Sequence, residues 1–209
     1  MTEVLPEKNE EYGTVEYWNE RYSKEKEDAT FDWFKSYADI ADIVKVVIPS
    51  KKSRILMLGC GNSKLSEEMY DDGYENIVNV DYSSVIIDQM KQRHSGARPL
   101  MEWHEMDVRK LAFSDSVFDV AIDKGTMDAM MTSEGDVWDP PDQVVNDCNK
   151  EIDEVIRVLK PESGVFLYIT FGQPHFRKRY LTRPGTALEI RTLGEMFHYY
   201  VYIMRRTSM

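Results

Sequence analysis

The chain has 209 residues, 42% hydrophobic and 30% charged, enough for one domain of ordinary size with a real core. Its net charge of −11 disfavours a nucleic-acid partner and favours a cationic one. No apolar run approaches the ~20 residues that span a bilayer, the acidic start MTEVLPEKNEEYG lacks a signal-peptide core, and two cysteines and four histidines follow no metal-ligand spacing, so a cytoplasmic protein with no metal and no membrane partner is expected.

Residues 1–12 read as a loose arm. Residues 14–26 (TVEYWNERYSKEK) predict a helix, with Val15, Trp18, Arg21 and Tyr22 sharing one face. A second helix is predicted over 35–48, ending before Pro49. Strands and helices then alternate: a strand over 54–58, a helix over 63–72, a strand over 76–81, a helix over 84–93 and a strand over 101–107. A fourth strand is expected at 117–123. A helix over 143–159 carries Val144, Cys148, Ile152, Val155, Ile156 and Leu159 as a stripe. The continuous apolar run GVFLYITF at 164–171 predicts a strand buried on both faces. Two last strands, at 187–192 and 197–204, read as a hairpin. The fold class is therefore α/β: a mostly parallel sheet with an antiparallel edge and helices on both faces. Cys60 falls in a loop and Cys148 on a helix, so no bridge is expected.

In such a sheet a ligand binds outside the carboxyl ends of the strands, and the first turn, ILMLGCGNSKL, marks the place. Gly59 and Gly61 fit G-x-G, but the dinucleotide fingerprint wants glycine at 64, where Lys64 stands. Asp81 ends the second strand, 20 residues after Gly61, where a carboxylate accepts two hydrogen bonds from ribose hydroxyls. Asp107 ends the third strand. A dinucleotide site does not require that acid, whereas an S-adenosylmethionine site does: the carboxylate takes the adenine amino group and the Val108 amide meets a ring nitrogen. Either aspartate alone reads equally as a turn former or helix cap. Both together, after G-x-G, favour the cofactor.

The phrases LMLGCGNSKLS, VDYSSVIIDQM, MDVRKLAF and FDVAIDKGTMDAMM together resemble the seven-strand, class I S-adenosylmethionine-dependent methyltransferases. With VEYWNERY and FDWF near the N-terminus, they resemble the small branch that methylates lysine in translation elongation factor 1A. The likeness covers roughly residues 12 to 180. It departs from the broad class at Met57, where an acid is usual, and at Ser63, which replaces a third loop glycine and would otherwise cap the next helix.

The resemblance implies a Rossmann-like fold with a seven-stranded sheet. Residues 1–50 would form a helical segment covering the cofactor, and 51–209 the cofactor-binding core. It implies that Gly59 brings backbone close to the methionine part of S-adenosyl-L-methionine, that Asp81 holds the ribose with Tyr82 beside the adenine, and that Asp107 and Val108 read the adenine edge. Lys124 would line the methionine end, and Trp18, Tyr22 and Trp33 would close over the top. Without the likeness, those three aromatics read as core.

Methyl transfer from a sulfonium is an in-line displacement with a neutral leaving group, S-adenosyl-L-homocysteine, so neither oxyanion hole nor metal is required. A lysine nucleophile must lose its proton, which costs about 4 kcal/mol near neutral pH; a dry channel lowers that cost. Asp123 or Asp128, in DKGTMD, is the expected group to orient the amine, and Asp128 reads equally as a helix cap. DPPD at 139–142 resembles the DPPY of amino-methylating enzymes but lies some 16 residues too late and lacks the aromatic. The basic stretch His175–Tyr180 reads either as a surface for an acidic patch on a protein substrate or as an exposed charged loop. The leading expectation is a protein-lysine methyltransferase whose partner is elongation factor 1A. The rivals are a small-molecule or N-terminal methyltransferase with the same cofactor, and a non-catalytic cofactor-binding protein.

Overall fold

A computed structural model describes residues 5–26, 28–132 and 138–208; residues 1–4 of the expected arm lie outside them. Helix α1 (Val15–Lys24) starts where the Thr14 hydroxyl accepts from the Tyr17 amide, and buries Tyr17, Trp18, Arg21 and Tyr22. Helix α2 (Tyr37–Val47) opens on a Ser36–Asp39 capping box. Then β1 (Ile55–Leu58), α3 (Leu65–Asp71), β2 (Ile77–Asp81), α4 (Ser84–His94), β3 (Glu102–Glu105) and β4 (Val120–Lys124) follow the expected alternation. Beyond them lie α5 (Thr126–Met130), α6 (Asp142–Val158), β5 (Val165–Thr170), α7 (Pro174–Leu181), β6 (Thr186–Leu193) and β7 (Tyr199–Arg206).

The seven strands form one sheet in the order β3-β2-β1-β4-β5-β7-β6. The first five pair in parallel, whereas β7 runs antiparallel to both β5 and β6. Strand order reverses at β1 and β4, which places the switch point, and any ligand cleft, at the glycine loop after β1. Two apolar layers cover the sheet. One joins α1, α2, α3 and α4 to one face; the other joins α6 and α7 to the opposite face. Every residue of β5 is buried, as its unbroken apolar run requires.

Three elements depart from expectation. Residues Asn9–Gly13 form a 3-10 turn rather than part of a loose arm. The DKGTMD phrase runs into α5, a five-residue helix too short to show periodicity. The stretch read as a charged loop is α7, opened by Pro174 at its first position. Strand β3 ends at Glu105, so Asp107 sits two residues past it, in a turn where its Oδ1 accepts from the Arg109 amide at 2.9 Å.

Candidate active site

One cavity opens at the switch point, and all ten residues expected to bind the cofactor line it. The glycine loop forms one wall. Gly59 and Gly61 adopt φ of +58° and +50°, the left-handed region that glycine enters without penalty. A Cβ on Gly59 would lie 2.1 Å from the Thr126 hydroxyl, so this glycine serves the approach of α5 as much as of a ligand. A Cβ on Gly61 would stand 3.0 Å from the Tyr22 hydroxyl and narrow the cavity.

Asp81, at the end of β2, accepts from the Gly61 amide at 2.9 Å and the Ser83 amide at 3.0 Å, one on each oxygen. A carboxylate offers about four acceptor positions, so both oxygens retain capacity for hydroxyl donors. Burial lifts its pKa to about 6, against the opposing pull of the loop amides. Asp107 reaches the cavity in a different state. Arg109 grips its carboxylate with Nε at 2.9 and 3.0 Å and Nη2 at 2.6 Å, and passes on to Asp147 at 2.8 Å. Burial pushes Asp107 up, but the Arg109 hydrogen bonds outweigh it and hold the carboxylate below its ordinary value. Val108 and Tyr82 line the cavity between the two acids.

The N-terminal segment forms the cover. Trp18 stacks on Tyr22 at 5.5 Å and donates its indole N–H to the Tyr12 carbonyl at 2.7 Å. Trp33 meets Trp18 and Tyr12 edge-on. Polar bonds sew this cover to the core. Lys124, at the end of β4, donates to Asp32 at 3.1 Å and to the Trp33 carbonyl at 3.0 Å. Burial pulls the Lys124 amine below its ordinary pKa even though Asp32 opposes the shift. Ser63 donates to Asp32 and accepts from the Leu65 amide at 3.1 Å, so the helix-capping role read for it is present alongside a tether.

The two carboxylates expected to orient the substrate amine do not line the cavity. Asp123 is buried beneath it, where its oxygens accept from the amides of Thr126 and Met127 at 2.8 and 2.9 Å; it, not Asp128, caps α5. Asp128 accepts from Thr170 at 2.6 Å, Tyr168 at 2.8 Å and Arg177 at 2.7 Å, all inside the core. The physical reason is the α5 turn, which points Asp128 toward β5 and α7. Sequence reasoning also missed Tyr12, Phe31, Arg109 and Thr126 as cavity residues. Arg109 carried a signal, an arginine two residues after a strand-end acid; Tyr12 carried none, because its 3-10 turn has no sequence period.

A glycine loop at the switch point, a buried acid at the end of β2 and an acid beyond β3 stand together in the fold of a class I S-adenosylmethionine-dependent methyltransferase. A methyltransferase-domain family model matches residues 55–162. The chain is 38% identical to "EEF1A lysine methyltransferase 4" of Bos taurus over 204 residues, 97% of this chain and 79% of that protein. It is also 38% identical to "eEF1A lysine and N-terminal methyltransferase" of Mus musculus, over 84% of this chain and 24% of that longer protein. In fold it is similar to the S-adenosylmethionine-bound magnesium protoporphyrin IX methyltransferase of Synechocystis PCC 6803, with a TM-score of 0.60, 10% identity, and 99% and 100% of the two chains covered. The chain belongs to the methyltransferase-domain family and, within it, to the group of the EEF1A lysine methyltransferases.

Proposed function

We propose that this chain transfers methyl groups from S-adenosylmethionine to a lysine of translation elongation factor 1A, in the cytoplasm. The carrying observation is the likeness to the lysine methyltransferase of Bos taurus across nearly the whole chain, cover segment included. We assign Asp81 to the ribose, Asp107, Val108 and Arg109 to the adenine edge, and Gly59, Gly61 and Lys124 to the methionine end, with Trp18, Tyr22 and Trp33 as cover. The cofactor supplies a methyl group on a sulfonium, which departs as a neutral thioether. The chain's own task is orientation and exclusion of water, and orientation alone is worth roughly 7–11 kcal/mol. Burial pulls the Lys124 amine below its ordinary pKa, and the same desolvation acts in that direction on any amine brought to this end of the cavity.

The rim beside the cavity supports a protein substrate. Phe34, in the left-handed region at φ +64°, packs its ring over Gly125, a cavity residue. Such a conformation is strained for a bulky side chain and persists where surroundings fix it. Phe34 lies 5.4 Å from the Phe171 ring and 6.0 Å from Tyr199. Phe171 is 57% exposed, and Met196 and Phe197, in the β6–β7 turn, are 95% and 84% exposed. Pairing of Thr170 with Tyr200 puts that turn at the same end of the strands as Phe171. An open apolar rim suits a macromolecular surface. Phe171→Ser combined with Phe197→Ser is expected to raise KM for the protein substrate about tenfold and leave cofactor affinity unchanged. An unchanged KM would remove the rim from the reading.

The direct test is transfer of labelled methyl to purified elongation factor 1A, followed by peptide mapping. Label on a lysine supports the proposal. The name of the longer relative favours one second reading, methylation of a protein N-terminus; label on the terminal amine would select it. No label on either would refute both.

A further inference from the structure

Beneath the cavity lies an acid that the transfer chemistry does not use. Glu151, in the middle of α6, is 0% exposed, and among the described residues neither of its carboxyl oxygens has a hydrogen-bond partner. What faces it, within reach of a side-chain hydrogen bond, is Asp123, also 0% exposed. Asp123 needs its negative charge, because it caps α5 through the amides of Thr126 and Met127. Among the described residues, Glu151 has no donor to stabilise a second charge. Two ionised carboxylates in contact would repel strongly in so dry a place. One proton between them removes the repulsion and lets one of the two Glu151 oxygens become a donor to Asp123.

The described residues around the pair offer no alternative partner. Asp128 of α5 is held by Arg177 of α7 and the Tyr168 hydroxyl of β5. Asp107, after β3, is held by Arg109, which also takes Asp147 of α6. Lys124, next to Asp123, commits its amine to Asp32 and Trp33. On α6 itself, Cys148 is a buried thiol whose pKa burial pushes up. Burial first, then the neighbouring Asp123, pushes Glu151 well above its ordinary value.

We propose that Glu151 is carried protonated at neutral pH and donates its O–H to Asp123, as a positioning residue for the cofactor cavity. The link to the cavity is short. Asp123 fixes the start of α5, whose Thr126 hydroxyl donates to the Leu58 carbonyl at 2.9 Å and presses on Gly59. Loss of the proton sets two charges against each other and loosens the turn that shapes the glycine loop. A raised acid stabilises the fold fully below its ordinary value of 4.5 and ceases to do so as pH rises through its folded pKa. Cofactor affinity therefore falls on the alkaline side.

The inference rests on the cofactor reading of the cavity, and its test separates the two. Infrared spectra of the wild-type protein at neutral pH should contain the carbonyl stretch of a buried protonated carboxylic acid, and Glu151→Gln should lack it. Calorimetric titration with S-adenosylhomocysteine should weaken about tenfold for wild type as the band disappears with rising pH, and by less than about twofold for Glu151→Gln, whose amide donates at every pH. Absence of the band in wild type overturns the proposal, even if the variant fails to fold. So does a band that survives in Glu151→Gln, or the same alkaline loss in both proteins. If wild type keeps the band but binds no product at any pH, the cavity reading fails, and the positioning role fails with it.

Discussion

Asp81→Ala will bind S-adenosylmethionine about ten- to hundredfold more weakly than the parent protein while remaining folded. The loss is that of charge-assisted hydrogen bonds worth about 1.5–3 kcal/mol. Fold should survive, because the amides released, Gly61 and Ser83, belong to a loop and a helix start beside an open cavity where water can replace the carboxylate. Titration calorimetry with circular dichroism checks both halves, and unchanged affinity in a folded variant would sink the ribose assignment. The pH dependence has a definite sign. Asp81 titrates near pH 6 in the protein without ligand, raised by burial. Below that value it is protonated and offers fewer acceptors, so product affinity weakens as pH falls through about 6. For the unliganded fold, a raised acid gives stability that is lost as pH rises through the same value. Donors from the ribose favour the ionised form, so the thermal shift caused by ligand should grow with pH. Asp81→Asn should abolish that growth.

The parallel sheet, the switch point and the Gly59, Gly61, Asp81 and Asp107 wall of the cavity were legible because each sits on a feature with a sequence period or a fixed offset, whereas Lys124, Trp18, Tyr22 and Trp33 were expected there only through the family likeness. Strands β1, β2, β4 and β5 are apolar runs, Gly59 and Asp81 stand at the ends of β1 and β2, and Asp107 stands two residues beyond β3. The two carboxylates assigned to the amine were misplaced because DKGTMD gives composition without direction. One five-residue helix decides that Asp123 turns up to cap it and Asp128 turns away to β5. Nothing local to the phrase reveals that Arg177, 49 residues later, waits for Asp128. The same blindness hid Glu151. On the α6 stripe it occupies a buried position between Cys148 and Ile152, where an isolated sequence reads a solvated helix charge. Tertiary contacts between distant elements, rather than local propensity, set those side chains.

Arg177→Met should be the most destabilising of the substitutions considered, and its rescue shows what Asp128 does. Arg177 and Asp128 are both buried, and the guanidinium also donates from Nε to the Tyr168 hydroxyl at 3.0 Å. It lies so close to Gly172 that a Cβ there would stand 2.3 Å away, so the glycine and the ion pair form one packed unit. Removing the cation leaves Asp128 with two hydroxyl donors and an uncompensated buried charge, a loss of about 3–5 kcal/mol. For a chain of this size that lowers Tm by roughly 10 °C or more. Replacing both partners by apolar groups, as Arg177→Met with Asp128→Leu, removes the charge along with its counterion and should recover most of the loss. Thermal unfolding reads the stability and methyl transfer reads the role. If Asp128 is scaffold, as its three core hydrogen bonds argue, the rescued double variant transfers methyl groups within a few-fold of the parent. A double variant that regains its Tm and its cofactor affinity yet transfers nothing would return Asp128 to the substrate amine, with the ion pair as the device that aims it.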